Sequence, residues 1–267
     1  TLLPENQNYS YSDGDQYFNW SPDGKYILAN FLTPNSWISQ VGLIPVEEAD
    51  TIINLTETGY GASGGTWMMN GETMIYYSGR NGMKNHASWG FQGDVYGLFF
   101  TQAAYDRFHL SEMELKLLEE KQKEKQKEED EEKENEGVPA VKIDFKGLLD
   151  RKERLTIHSS NLAGAVLTKD GKMLYYLSRF EKGYDLWMHD FYKNETKIVQ
   201  KLGAGRAGNL MLSKKGDQLF LLSNGTPHVM TLSSGKLKPI RFKADIELKT
   251  AQEREYIFNH VWKQVEE

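Results

Sequence analysis

The chain contains no cysteine among its 267 residues. Disulfide bonds and thiolate metal sites are therefore excluded, and the redox compartment stays open. No apolar run approaches the roughly 20 residues that are needed to span a bilayer, so no membrane span is expected. The chain also lacks an initiator Met and a signal-like segment, since it begins Thr1-Leu2. We therefore expect it to be a piece of a longer protein.

An excess of basic residues is lacking as well. Lys and Arg number 32 against 38 Asp and Glu, which gives a net charge of −6. A nucleic-acid-binding surface needs a basic face, so nucleic acid is not an expected partner. The acidic excess is concentrated, because residues 112–136 hold 12 acidic and 6 basic side chains. The remainder of the chain sums to about zero charge.

One phrase occurs four times: an apolar run, a polar turn that closes on glycine, and a second apolar run. Asp-Gly or Asn-Gly between such runs strongly favours a β-hairpin, because the turn needs a positive φ that glycine adopts without strain. Each phrase therefore predicts a strand, a tight turn and a strand. The phrases are WSPDGKYILA at Trp20–Ala29, WMMNGETMIYYS at Trp67–Ser78, LTKDGKMLYYLS at Leu167–Ser178 and LMLSKKGDQLFLLS at Leu210–Ser223.

The turn glycines, Gly24, Gly71, Gly171 and Gly216, are 47, 100 and 45 residues apart. A period in the forties with four strand-like runs per repeat is typical of a β-propeller. The 100-residue spacing is longer than one period because it contains the charged stretch. We therefore predict an all-β fold of β-propeller blades, with four four-stranded antiparallel repeats in residues 1–244. The charged insertion is expected at about 109–140 in the second blade, and a leucine-rich or helical repeat is disfavoured because the runs have period two.

Period-two alternation also predicts the individual strands. The first repeat runs from Tyr17 to Thr56, with Trp37–Leu43 as its third strand, and the second repeat places its third strand at Asp94–Thr101 and its fourth near Arg154–Ile157. The third repeat is expected to use Leu162–Thr168, Lys172–Ser178, Tyr184–Phe191 and Thr196–Lys201, and the fourth Ala207–Ser213, Asp217–Ser223, Pro227–Leu232 and Lys236–Arg241.

The insertion reads as a solvated helix. Pairs of opposite charge four residues apart support it, and its apolar start is expected to dock on the blade. It should project from the face opposite the loops at 78–82 and 178–180. A basic partner for the acidic end Glu128–Glu132 is the less favoured alternative. The apolar residues are Leu110, Met113, Leu117 and Leu118, and the charge pairs are Glu112–Lys116, Glu119–Lys123 and Glu129–Lys133.

A second helix is predicted in residues 245–267. Thr250 is expected as its N-cap, with Glu253 at the capping-box position. An apolar stripe then follows at helical spacing, and it needs a partner surface. We expect this helix to open a further domain. The stripe consists of Tyr256, Ile257, Val261, Trp262 and Val265.

Several motifs resemble catalytic or binding signatures and are better explained as structure. G-x-G-x-x-G occurs at residues 59–64 and 203–208, where strands follow instead of the helix that phosphate binding needs. Gly61–Gly65 matches G-x-S-x-G, but it too leads into a hairpin. The six histidines, His86, His109, His158, His189, His228 and His260, have no ligand at metal-site spacing. No catalytic residue, metal or cofactor is predicted.

Arg80 and Arg179 are the candidate binding residues. Each follows the second strand of a blade at the same phase of the repeat, where the loop should open at the mouth of the channel. Two guanidinium groups there could hold a carboxylate. Solvated loop arginines are the favoured alternative.

The phrase S-P-D-G-K-Y-I-L at Ser21–Leu28 resembles the blade repeat of TolB-type and tricorn-type propellers. Residues Ile143–Arg151, followed by Arg154-Leu155, resemble the phrase that precedes an outer strand in bacterial tricorn protease homologues. The stretch Ala251–Phe258 with Val261-Trp262 is similar to the helix that opens the domain after the second propeller in that family. The chain therefore resembles part of a tricorn-like serine peptidase.

The resemblance implies that the chain gives peptides access and docks other domains, while the catalytic serine and histidine, and a PDZ domain, lie elsewhere. Expected partners are peptides or unfolded polypeptide and the catalytic and PDZ domains of the same chain. The family has six or seven blades, so four repeats imply an open arc or other blades elsewhere, and unpaired edges favour homo-oligomers. Exported bacterial relatives favour the periplasm. The alternatives are a non-enzymatic TolB-like propeller that binds protein or peptide and a prolyl-oligopeptidase-type propeller.

Overall fold

The computed structural model describes residues 7–8, 16–48, 51–84, 92–129, 140–245 and 247–266, with the backbone alone given for 122–129 and 266. These residues form four antiparallel sheets of four strands each. Each sheet is one blade, and its strands follow one another in chain order, as expected for β-propeller blades. No helix in the described ranges is long and apolar enough to cross a membrane.

The strand bounds follow the predicted repeats closely, so the strand predictions in all four blades are confirmed to within a few residues. Blade 1 consists of β1 (Phe18–Trp20), β2 (Tyr26–Leu32), β3 (Ser39–Pro45) and β4 (Ile53–Asn54), and blade 2 of β5 (Ala62–Met68), β6 (Thr73–Ser78), β7 (Asp94–Phe99) and β8 (Lys152–Arg154). Blade 3 consists of β9 (Asn161–Leu167), β10 (Met173–Arg179), β11 (Tyr184–Asp190) and β12 (Glu195–Ala204), and blade 4 of β13 (Ala207–Leu212), β14 (Gln218–Ser223), β15 (Thr226–Thr231) and β16 (Lys236–Pro239).

The turns between the first and second strands repeat in atomic detail. In blade 3 the amide of Gly171 donates to the carbonyl of Thr168 at 2.9 Å, and in blade 4 Gly216 donates to Ser213 at the same distance. Gly171 has φ +72°, and a Cβ on it would lie 2.9 Å from the Met69 side chain of blade 2. Glycine is therefore required here both by the turn and by the neighbouring blade.

Consecutive blades pack through three buried clusters. Leu28 and Val41 of blade 1 pack with Met74 of blade 2, and a second cluster joins blades 2 and 3. The third cluster contains Leu177 of blade 3 and Leu219 of blade 4, both fully buried. Among the residues that the structure describes, no such cluster joins blade 4 to blade 1.

The insertion after β7 starts with a helix that the sequence analysis did not predict, α1 (Gln102–Phe108). The Thr101 hydroxyl caps it by accepting a hydrogen bond from the Ala104 amide at 3.1 Å. The predicted helix is α2 (Glu112–Glu129). A capping box begins it, since the Ser111 amide donates to the Glu114 carboxylate at 2.8 Å while the Glu114 amide donates to the Ser111 hydroxyl at 3.3 Å.

Helix α2 docks on the blades through a face that matches the predicted one only in part. Leu115 is buried and the predicted residues Leu110 and Leu118 are half-buried, whereas Met113 and Leu117 are exposed. The predicted Glu112–Lys116 pair is present at 2.8 Å, but Glu119 pairs with Lys172 in the first turn of blade 3, also at 2.8 Å. That ion pair holds α2 against the turn end of the blade, which decides which side faces the protein. The predicted partners Lys123 and Lys133 and the end of Glu128–Glu132 lie outside the described side chains.

The segment after the insertion is fixed by a buried arginine. Arg151 Nε donates to the Phe99 carbonyl at 3.0 Å and its Nη1 to the Lys146 carbonyl at 3.0 Å. Its Nη2 also donates to the carbonyls of Phe100 and Asp144. The phrase Ile143–Arg151 therefore closes blade 2, because one guanidinium satisfies four backbone carbonyls as the chain returns to β8.

The last element is α3 (Thr250–Glu266). Thr250 is its first residue, so the N-cap prediction is off by one: the Lys249 carbonyl accepts the first helical bond, from the Glu253 amide at 3.0 Å. The predicted stripe is confirmed as helical and is exposed along its length.

Candidate functional site

Each blade has two ends with different chemistry. One end carries the hairpin turns between the first and second and between the third and fourth strands, and we call it the turn face. The other carries the loops between the second and third strands and the connections between blades, and we call it the loop face. The insertion lies at the turn face, since Lys172 and the blade 1 turn residue Asp23, which accepts from the Val141 amide at 2.8 Å, both contact it. These contacts agree with its predicted position opposite the 78–82 and 178–180 loops.

Arg80 lies on the loop face of blade 2, exposed and close to two stacked tyrosines. Tyr76 and Tyr96 have ring centroids 5.5 Å apart, and the Tyr96 hydroxyl donates to Asn81 Oδ1 at 2.6 Å. Burial raises the pKa of both phenols, and the Arg80 charge partly offsets the rise. Arg80 therefore supplies a positive charge beside two uncharged aromatic hydroxyls.

A buried carboxylate fixes the loop face next to Arg80. Asp94 is fully buried and accepts hydrogen bonds from Arg154 Nη2 at 2.8 Å and from the hydroxyls of Thr156 and Ser159, each at 2.7 Å. Arg154 is thereby committed to a structural ion pair. The carboxylate also ties β7 to the segment that leads into blade 3, so this part of the face is rigid.

Arg179 ends β10 on the loop face of blade 3, and its guanidinium lies over the Tyr184 ring at 5.2 Å from the centroid. Gly79 precedes Arg80, whereas Arg179 directly follows Ser178, so the two arginines differ by one position in the repeat. They lie on the same face of neighbouring blades but contact different tyrosines. The expected joint grip of both guanidinium groups on one carboxylate is not tested by these contacts.

A hollow of about 300 Å³ adjoins Arg179. We call it the Trp187 hollow. Phe180 and Trp187 meet edge to face in it, at 5.0 Å between ring centroids. Its other lining residues are Ser178, Glu181, Lys182, Gly183, Asp185 and Ile198. Apolar surface next to charged groups of both signs is the usual composition of a peptide or small-ligand site.

The back wall of the Trp187 hollow is held by the connection to blade 4. Asp185 Oδ1 accepts from the amides of Leu202 at 2.7 Å and Gly203 at 2.9 Å. Gly183 has φ +76°, and a Cβ there would lie 2.4 Å from the Gly203 carbonyl carbon. Close backbone approach therefore fixes the shape of the hollow, and Gly183 cannot be replaced without moving it.

One donor behind the wall of the hollow has no partner. The indole Nε1 of Trp187 is buried from solvent and forms no hydrogen bond. An unpaired buried N–H costs about 1–3 kcal/mol. Since solvent does not reach this nitrogen, a ligand in the hollow would contact the indole ring and not its N–H.

The motifs that resemble catalytic signatures have structural roles. Ser63 lies inside β5, and residues 203–208 join blade 3 to blade 4, as predicted. His189 Nδ1 is 2.8 Å from the Thr196 hydroxyl, and His109 Nε2 is 3.0 Å from Glu153, while His86 lies outside the described residues. In the described part of the chain no group of three or more His, Asp or Glu residues could hold a metal ion.

Sequence reasoning missed the Trp187 hollow. Trp187 belongs to a predicted strand as an apolar residue, and Phe180 belongs to a loop that was predicted to face the channel. A large aromatic side chain in that loop was the available signal. The unpaired indole N–H, in contrast, depends on which groups the tertiary fold places around the ring and has no signature in sequence.

The fold and these loops define the class: the chain is a set of β-propeller blades with a peptide-sized hollow on its loop face. No protein-family model matches the sequence, and no curated protein matches it with significance. Solved structures are similar at low identity. The tricorn protease aligns with a TM-score of 0.54 and 9% identity, over 84% of this chain and 22% of that chain.

Two further structures show that the likeness extends beyond peptidases. TolB from Acinetobacter baumannii aligns with a TM-score of 0.51 and 15% identity, over 87% of this chain and 45% of that one. Kuenenia stuttgartiensis hydrazine synthase aligns with a TM-score of 0.55 and 10% identity, over 86% and 33%. The chain thus spans less than half the length of each of these structures, and the likeness shows the propeller fold alone.

Proposed function

We propose that this chain is the substrate-handling propeller segment of a tricorn-like serine peptidase, and that its loop face binds extended polypeptide while bond cleavage takes place outside the chain. The Trp187 hollow is the observation that carries the proposal. It combines an exposed aromatic ring, charged side chains of both signs and a neighbouring guanidinium. Nothing in the hollow pairs a nucleophile with a base, so its chemistry is that of binding.

An extended peptide suits these groups. An apolar side chain of the peptide can pack on Phe180, Trp187 and Ile198, which line the hollow. Arg179, held over Tyr184, is positioned to meet a carboxylate of the same peptide. Arg80 supplies a second positive charge on the neighbouring blade, so we propose both arginines as binding residues for peptide carboxylates.

Similarity to the tricorn protease fold supports the peptidase context, together with the Ile143–Arg151 phrase that closes blade 2. The second candidate function is a non-enzymatic propeller that binds protein, and similarity to TolB favours it. Both candidates use the same loop face. They differ in whether a catalytic domain accompanies the propeller.

Domain docking is the second part of the proposal. We infer that residues 245–267 belong to a separate unit and that α3 packs on another domain of the same protein. The exposed stripe supports this, since Val261, Trp262 and Val265 are 55%, 58% and 79% exposed. An apolar stripe of this width on one helix face is ordinarily covered by a packing partner.

The binding proposal is tested with reduced and carboxamidomethylated α-lactalbumin, labelled with fluorescein and titrated with the chain by fluorescence anisotropy. Trp187→Phe reduces the aromatic surface of the hollow, and Arg179→Gln removes the charge. Each variant is expected to weaken binding about three- to tenfold, the range that a reduced apolar contact or one lost ion pair produces. Trp20→Phe, at an exposed tryptophan beside the blade 1 turn on the opposite face, is the matched control and should bind as wild type does.

Two results would contradict the proposal. If both the Trp187 and Arg179 variants bound with wild-type affinity, the claim that the loop face binds peptide would be refuted. Covalent labelling of this chain by a fluorophosphonate probe would show a reactive serine within it, against the assignment of chemistry elsewhere.

A further inference from the structure

Blade 4 and the strand before it carry a strong positive charge that the chain as a whole conceals. Residues 197–243 hold nine Lys and Arg and a single acidic residue, Asp217, so their net charge is +8 in a chain of net charge −6. All nine basic residues are exposed. They are Lys197, Lys201, Arg206, Lys214, Lys215, Lys236, Lys238, Arg241 and Lys243.

Two of these residues line one hollow at the loop face of blade 4, and a third lies in the adjoining turn. The hollow has a volume of about 650 Å³ and includes Arg241 and Lys243 in its lining. Arg206 belongs to the adjoining turn, because its amide donates to Asn224 Oδ1 at 3.2 Å and its carbonyl accepts from the Asn224 amide at 2.8 Å. We call this the blade 4 hollow.

The rest of the blade 4 hollow is apolar or neutral. Its lining comprises Gly225, Thr226, Pro227, Ile240 and Phe242 besides the two basic residues. The Ile240 amide donates to the Pro227 carbonyl at 2.8 Å, which extends the β15–β16 pairing and fixes this wall. Phe242 is 74% exposed, an unusual position for an aromatic ring without a ligand to cover it.

No carboxylate within the blade neutralises these charges. Asp217 lies in the β13–β14 turn at the opposite face, where its Oδ1 accepts from the Ser213 hydroxyl at 2.7 Å. The positive potential at the blade 4 hollow is therefore uncompensated locally, and it will attract anionic groups within about one Debye length. A carboxylate next to an apolar side chain fits both the charge and the apolar lining.

We propose that the blade 4 hollow binds acidic segments of a polypeptide, with an Asp or Glu side chain held by Arg241 and Lys243 and the adjacent apolar side chain packed on Phe242 and Ile240. The inference rests on the proposed function, since it names the class of peptide that the loop face selects. Ile240 and Pro227 favour a peptide over polyphosphate, because polyphosphate gains nothing from aliphatic surface. Bases of a single-stranded nucleic acid could stack on Phe242, so an oligonucleotide is one arm of the test.

The experiment uses two short synthetic peptides with an N-terminal fluorescein and a C-terminal amide, one containing repeated Glu-Leu pairs and the other Gln-Leu pairs. Amidation removes the terminal carboxylate from both peptides. A third peptide, Gln-Leu with a free C-terminus, tests whether the hollow binds a C-terminal carboxylate instead of an acidic side chain. Arg241→Gln/Lys243→Gln is compared with Lys236→Gln/Lys238→Gln, which removes the same charge from β16. All four positions are exposed, so both variants should fold as wild type does by circular dichroism.

At low salt, wild type is expected to bind the Glu-Leu peptide at least about tenfold more tightly than the Gln-Leu peptide. The Arg241/Lys243 variant should lose this preference, while the β16 control should keep it to within about threefold. An equal loss of Glu-Leu affinity in both variants would show that binding depends on the overall positive charge of the blade and not on this hollow, and it would overturn the proposal. Preference for the free C-terminus, or tighter binding of a single-stranded oligonucleotide with the same sensitivity to both substitutions, would overturn it as well.

The two proposals fail in different ways. If wild type binds neither labelled α-lactalbumin nor any of the peptides, the proposed peptide-binding function itself is refuted. If wild type binds α-lactalbumin and the Trp187 variant does not, but the Arg241/Lys243 variant shows unchanged Glu-Leu affinity, only the acidic specificity is refuted.

Discussion

Asp94 organises the loop face of blade 2, and its replacement gives the sharpest stability prediction. The side chain has no solvent exposure and accepts three hydrogen bonds, from Arg154, Thr156 and Ser159. Asp94→Ala removes all three acceptors at once. The arginine and two hydroxyls would then have to find water or stay unsatisfied.

The expected cost follows from these contacts. Removing one partner of a buried ion pair costs about 3–5 kcal/mol, but the Arg154 side chain is 32% exposed, so water will recover part of the loss. We therefore expect Asp94→Ala to reduce the free energy of unfolding by about 3 kcal/mol. Asp94→Asn keeps two acceptor positions and the volume, so its cost should be about half as large.

Urea titration followed by tryptophan fluorescence measures the change, with circular dichroism as the second probe. A loss of about 3 kcal/mol is large against a typical domain stability of about 5–15 kcal/mol. Asp245→Ala, at an exposed position after blade 4, is the control and should leave the midpoint unchanged. A midpoint for Asp94→Ala within error of wild type would refute the reasoning that this carboxylate holds the loop face together.

Three further predictions concern the blade interfaces, the insertion and pH. Gly65→Ala places a Cβ 2.4 Å from Val41 Cγ1, so overpacking between blades 1 and 2 should cost about 1–3 kcal/mol in the same urea titration. A double-mutant cycle on Glu119 and Lys172 should give a coupling of about 0.2–1 kcal/mol, because the pair is partly exposed, and either substitution should speed proteolysis within α2. Burial raises the pKa of Tyr77 to about 12. The stabilisation that comes from burying the neutral phenol is therefore complete below about pH 10 and is lost between about pH 10 and about pH 12. Tyrosinate absorbance is expected to rise together with unfolding in that range.

Each of these predictions has its own contradicting outcome. Gly59→Ala is the control for Gly65, because no atom lies within 4 Å of the position that the added methyl group would take, and equal effects of the two would remove the steric argument. A coupling energy of zero together with an unchanged rate of proteolysis would refute the claim that the Glu119–Lys172 ion pair holds α2 on blade 3. Tyrosine ionisation at its ordinary pKa in the folded protein would contradict the burial of Tyr77.

The blades could be predicted from sequence because their signals are local. A few neighbouring residues are enough to predict a hairpin. In the turn Thr168–Lys172, the Asp170 carboxylate accepts hydrogen bonds from the Thr168 hydroxyl at 2.6 Å and from the Lys172 amide at 3.1 Å. The same residue types recur in blade 1, where Asp23 accepts from Ser21 at 2.7 Å. The turn chemistry thus fixes the strand pairing before any tertiary contact forms.

The insertion was only partly predictable. Its charge pattern indicates α2, and the S-x-x-E sequence at Ser111–Glu114 is a local signal for the start of that helix. The short helix α1 depends on a single Thr101 cap and on Phe108 packing against Phe99 at 4.8 Å between centroids. The buried face of α2 depends on Lys172, 53 residues from Glu119, and no local pattern contains that contact.

The sequence predicted which face carries the loops with Arg80 and Arg179, but not which residues form the hollows there. The loops follow equivalent strands, and the structure has both arginines on the same face. The Trp187 hollow and the blade 4 hollow arise where separate segments meet, as when Gly183 lies against Gly203. Net charge also concealed blade 4, because acidic residues outside both the insertion and blade 4 balance its positive charge in the total.

Hydrogen–deuterium exchange of the chain with and without unfolded α-lactalbumin tests most directly whether the loop face is the peptide-binding face. Bound polypeptide is expected to slow exchange in residues 179–187 and 224–227, at the two loop-face hollows. Exchange in the turns at residues 168–172 and 213–217 should stay the same. Protection confined to those turns, with the loops unchanged, would contradict the assignment of the binding face.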